Sequence, residues 1–95
     1  MQLEHSGHYA QVPVDHLIGW FQMMHCVPDG TEKADDFKRA FLEWCADHSV
    51  HGATAEIVDT IMAASGTTEV TGHGTVLFSE GCRLSDHARR AYRID

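Results

Sequence analysis

Cys45, His48 and His51 are spaced by three, and a thiol with imidazoles is the first place to look for chemistry, since these are the side chains that hold zinc. On a helix Cys45 and His48 share one face, and His25 with Cys26 would end a second helix packed nearby. A tetrahedral centre needs four such groups converging at about 2.0 to 2.3 Å, and nothing in the chain has zinc-finger spacing. No metal is therefore expected. Nucleophilic catalysis would draw on Cys26 beside His25, or on Ser79 with His73. Adjacent helical residues point about 100° apart, which works against the first pair. No glycine-flanked nucleophile, paired-carboxylate motif or phosphate loop occurs. The chain is expected to be neither an enzyme nor the holder of a cofactor.

Charge gives the other candidate chemistry. The 95 residues hold 14 acidic and 7 basic side chains, a formal net charge of −7, which disfavours undirected attraction to phosphate backbones. The distribution is uneven, because four of the seven bases, Arg83, Arg89, Arg90 and Arg93, fall within residues 83 to 95. They are the best nucleic-acid candidates, with His73 adding charge at mildly acidic pH; intramolecular salt bridging to the acidic body is the plainer use. The stretch 54 to 80 carries Glu56, Asp59, Glu69 and Glu80 and no lysine or arginine.

These groups must be positioned by one small domain, since the chain is too short to build two cores. Three cysteines cannot all pair within the chain, so free thiols in a reducing, cytoplasmic compartment are expected. No lysine or arginine precedes Lys33 and no long apolar run occurs, so neither a leader peptide nor a membrane span is expected. Residues 1 to 12 read as a loosely ordered arm. Asp15 suits an N-cap, and Leu17, Ile18, Phe21 and Met24 predict a first helix over about 15 to 27, stopped by Pro28-Asp29-Gly30. Phe37, Ala40, Phe41, Trp44, Cys45 and His48 form a continuous stripe, predicting a second helix from Thr31 or Lys33 to His48, with Glu32, Asp35 and Asp36 at its positive end. Thr54 caps a third helix over about 54 to 65, with Ile57, Val58, Ile61 and Met62 as its apolar face and Gly66 at its end. From Thr67 to Phe78, β-formers flank Gly72-His73-Gly74, which predicts a hairpin. Ser85 caps a short, basic last helix through Tyr92, with a tail to residue 95.

Helix, helix, helix, hairpin is the order of a winged-helix domain, an α+β fold. Asp36-Phe37-Lys38-Arg39-Ala40-Phe41-Leu42-Glu43-Trp44-Cys45 resembles the second helix of the winged-helix modules that end the primase-helicases of phages, plasmids and large DNA viruses. Gly81-Cys82-Arg83-Leu84 is similar to the element that closes the wing in that family. The resemblance spans residues 15 to 84 and implies a winged-helix fold of mobile-element origin. It also implies a basic third helix and wing, and here this sequence departs from the family.

A DNA-reading scaffold without its bases points to protein binding. The leading expectation is a small non-catalytic interaction protein whose Glu56, Asp59, Glu69 and Glu80 face a basic partner in a replication or defence complex, as an inhibitor or DNA mimic. The alternative is a DNA-binding accessory factor that contacts phosphates through Arg83, Arg89, Arg90 and Arg93.

Overall fold

The computed structural model describes residues 12–71 and 74–94. The elements run α1 (Val14–His25), β1 (Cys26–Val27), β2 (Thr31–Lys33), α2 (Ala34–Asp47), α3 (Ala55–Ala64), β3 (Thr68–Val70), β4 (Val76–Ser79), β5 (Arg83–Leu84) and α4 (Asp86–Ala91). This is a winged-helix-like α+β fold: three packed helices, a wing, and a short helix after it. The wing is an antiparallel sheet of order β2-β4-β3, in which Glu32 faces Phe78 and Glu69 faces Leu77. A second ribbon pairs Cys26 with Leu84 and Val27 with Arg83.

The core forms because the apolar stripes of the helices converge on one ring. Phe21 of α1 meets Phe37, Phe41 and Trp44 of α2 edge-on, at centroid distances of 5.5, 5.5 and 5.9 Å. Phe37 in turn meets Phe78 of β4 at 5.6 Å, so the wing is anchored in the same cluster as the helices. Val58 and Met62 bring α3 into it, Ala88 brings α4, and Tyr92 and Ile94 add the residues that follow it.

Capping residues set several boundaries. Thr54 Oγ1 accepts a hydrogen bond from the Ile57 backbone N–H at 3.2 Å, and Ser85 Oγ accepts one from Ala88 at 3.1 Å. Gly66 follows α3 at φ +75°, the left-handed position that ends a helix. Gly30 has φ +94°, and a Cβ there would meet the Arg83 side chain at 2.9 Å, so the turn between β1 and β2 needs a glycine on two counts.

The structure corrects several expectations. The residue before α1 is Pro13, and Asp15 lies in the first turn, its carboxylate accepting from the His16 N–H. The helix stops at His25 because Cys26 and Val27 leave it to pair with β5, which satisfies backbone groups that a longer helix would have withheld. The second helix starts only at Ala34, since Thr31–Lys33 is the first strand of the wing. Glu32 is therefore no helix-start acid; it points inward and is 6% exposed. Ile57 is 37% exposed, so the buried face of α3 rests on Val58 and Met62. The expected arm lies, except for Val12, outside the described residues, as does His73 at the hairpin tip.

Candidate interaction surfaces

The four acids read from the sequence do not form one uniform field. Glu56 is exposed in the first turn of α3. Asp59, one turn later, is engaged: Lys38 Nζ of α2 donates to its two oxygens at 2.9 and 3.0 Å, and also lies 3.7 Å from Asp35. The absence of bases between residues 54 and 80 thus overstates the charge of this face, since α2 supplies a cation from outside the segment. Glu69 stands mid-strand on β3, the exposed edge of the wing, where a charge also discourages edge-to-edge pairing. Glu80 occupies the turn between β4 and β5 at φ +57°. Among the described residues, the salt bridges involve neither Glu56, Glu69 nor Glu80.

The arginines divide as well. Arg89 Nη1 donates to Glu32 Oε1 at 2.8 Å, and the same oxygen accepts from the Leu84 backbone N–H at 3.0 Å. With Glu32 buried, this is an internal ion pair, and Arg89 is held by it rather than presented to a phosphate. Arg83 is exposed on β5 with its side chain lying over Gly30. Arg90 and Arg93 are exposed on and after α4, and the Arg93 carbonyl accepts from Arg39 Nη2 at 3.0 Å.

The sulfur and imidazole groups are divided between the core and the surface. Cys45 and Cys82 are buried and Cys26 partly so. Burial, helped by Cys82 and Glu32, pushes the Cys26 thiol up to about 12; burial likewise raises Cys45 and Cys82 to about 11. Burial thus favours the protonated thiols at neutral pH, the opposite of what a nucleophile requires. His48 Nδ1 donates to the Trp44 carbonyl at 2.9 Å and its ring lies 4.6 Å from the Trp44 ring, while His51 is exposed. His25 packs against Phe21 and Tyr92 at 5.1 and 5.7 Å. Ser79 Oγ donates to the Thr67 carbonyl at 3.2 Å. Among the described residues, no group of three or more histidines, cysteines or carboxylates is arranged to hold a metal.

Sequence reasoning did not single out a furrow beside α1. Its larger part, about 740 Å³, lies between α1 and the end of α3, with Ile18, Ile61 and Met62 as an apolar floor and Asp15 and Glu80 on its walls. A smaller hollow of about 430 Å³ continues toward β1, sharing Gly19, Gln22 and Glu80 and bordered by Met23. Gly19 is the signal the sequence held: a glycine inside a helix costs about 1 kcal/mol relative to alanine, and here a Cβ would meet nothing within 4 Å.

Comparison with protein-family models, with curated proteins and with solved structures finds no match. Among the described residues, no helix is long and apolar enough to cross a membrane.

Proposed function

We propose that this chain is a small non-catalytic interaction protein of a mobile genetic element, and that its acidic surface binds a basic protein that processes nucleic acid in a replication or defence complex. The observation that carries the reading is the chemistry of α3 and the wing. In a winged helix these elements face DNA through lysine and arginine, whereas here α3, β3 and β4 expose Glu56 and Glu69 and bear no base, Lys33 on β2 being the cation the wing carries. Such a surface repels phosphate and complements the channel of a DNA-binding protein, which is the charge pattern of an inhibitor or DNA mimic. Winged-helix kinship to phage and plasmid primase-helicase modules is part of this proposal and rests on the sequence resemblance in α2 and after the wing.

DNA binding through the C-terminal arginines is the second reading, favoured by the exposure of Arg83, Arg90 and Arg93. Arg89 is withdrawn from that set, because it is committed to Glu32.

The test is charge reversal of Glu56→Lys with Glu69→Lys, which leaves the Lys38 to Asp59 contact intact. Basic proteins captured from host lysate by the native chain should be lost by the variant, with the difference shrinking as salt rises from about 50 to 200 mM. The proposal falls if the variant keeps those partners while Arg90→Ala with Arg93→Ala abolishes a salt-dependent affinity for duplex DNA.

A further inference from the structure

We infer that the furrow along α1 is a docking groove for a short amphipathic helix of a partner, with apolar residues on its inner face and lysine or arginine on its flanks. This rests on the reading of the chain as a protein-binding module and names a surface other than the exposed faces of Glu56 and Glu69.

Three observations carry it. The two hollows share Gly19, Gln22 and Glu80 and so run as one furrow beside a helix of 12 residues, about 18 Å at the helical rise, enough for three turns of a partner helix. The furrow is apolar below and acidic at its walls through Asp15 and Glu80, and among the described residues no lysine or arginine lines it. An occupant that buries apolar groups there places its flanking side chains beside two carboxylates, so cations are favoured and anions repelled. Gly19 opens the floor. A glycine in a helix interior weakens the helix, and among the described residues a Cβ at Gly19 would meet nothing within 4 Å. The missing side chain leaves room on the furrow floor for an apolar group of an occupant. Met23, 82% exposed at the lip, offers a flexible thioether that adapts to an apolar ligand.

The probe is a synthetic 14-residue helical peptide with leucines on one face and lysines on its flanks, titrated into the ¹⁵N-labelled full chain; a second peptide carries glutamate at every lysine position. The expected result is movement of the amides of Gly19, Gln22, Ala64 and Glu80 by the lysine peptide only. Gly19→Leu, whose side chain would fill the floor, should weaken that binding at least tenfold while melting no lower than the native chain. Asp15→Asn with Glu80→Gln should leave the two peptides equivalent, and serves as the second variant if leucine disturbs folding. Equal binding of both peptides to the native chain, shifts confined to other surfaces, or undiminished binding by Gly19→Leu overturns the groove. If the groove fails in this way while Glu56→Lys with Glu69→Lys loses its lysate partners, the acidic face stands alone. If peptide binding depends on Gly19 while lysate capture ignores Glu56 and Glu69, the groove stands and the acidic face falls.

Discussion

Glu32 and Arg89, 57 residues apart, join the first strand of the wing to the last helix: Oε1 of Glu32 takes the Arg89 guanidinium at 2.8 Å and the Leu84 N–H at 3.0 Å. The carboxylate is 6% exposed, and the guanidinium side chain 29%. Two hydrogen bonds to one oxygen satisfy a charge that would otherwise be costly to bury.

Arg89→Ala should therefore destabilise the domain by about 3 kcal/mol, because it strands the buried Glu32 charge rather than because the pair itself is strong. Replacing both partners, Glu32→Met with Arg89→Met, should recover most of the loss. Urea denaturation of Glu32→Met, Arg89→Met and the double variant measures it as a coupling energy. Additive effects would show that the two side chains do not depend on each other.

Trp44 is 2% exposed and lies between Phe21, Phe41 and His48. Trp44→Ala should cost about 3 to 5 kcal/mol, much of what a small domain has. A variant that melts cooperatively within a few degrees of the native protein would remove α2 from the core.

His25 predicts how stability follows pH. Desolvation lowers its affinity for a proton below the ordinary value of 6.5, and the neighbouring His87 and His48 act in the same direction. Among the described residues its Nδ1 is buried without a hydrogen-bond partner. The unfolded chain therefore binds this proton more readily than the folded one, so the stabilising contribution is whole above about pH 6.5 and is lost as pH falls below it. The melting temperature should drop between pH 7 and 5, and His25→Phe, which keeps the ring against Phe21 and Tyr92, should flatten the drop. A native pH profile unchanged by His25→Phe would assign the effect elsewhere.

The three thiols should resist alkylation in the folded state. A thiol raised to about 11, as for Cys45 and Cys82, leaves about one thiolate in ten thousand at pH 7. Iodoacetamide should label them only at the rate of unfolding, accelerating in urea. Rapid labelling of Cys26 in native buffer would mean that the β1 to β5 ribbon opens locally.

The helices were legible because each carries a stripe and a local stop: the Phe37 to Cys45 series marks α2, and Thr54 and Ser85 cap α3 and α4 as their side-chain oxygens suggest. The short strands were not. Thr31–Lys33 is three residues long, preceded by a turn and followed directly by a helix, so its acid looked like a helix-start residue until Phe78 opposite it showed a strand with an inward face. Cys26–Val27 continued a helical pattern, and only its partner 56 to 58 residues away draws it out. The fate of the charged groups was hidden for the same reason: Lys38 with Asp59, and Arg89 with Glu32, meet across sequence separations that no local pattern encodes. The furrow was hidden too, because an empty space has no residue type, and only Gly19 hinted at it.

The ribbon between β1 and β5 has a kinetic consequence. Its register of Cys26 with Leu84, the Ser85 N–H on the His25 carbonyl at 2.9 Å, and the Arg39 contact with the Arg93 carbonyl all tie the first third of the fold to residues 84 to 93. Loop closure on this scale must precede the reward of the contacts it makes. The stripes of α1 to α3 stay incompletely covered until α4 and the residues after it join them. The ring cluster around Phe21 is thus closed by a late segment, since Tyr92 packs on Phe21 at 6.2 Å from the far end of the described chain.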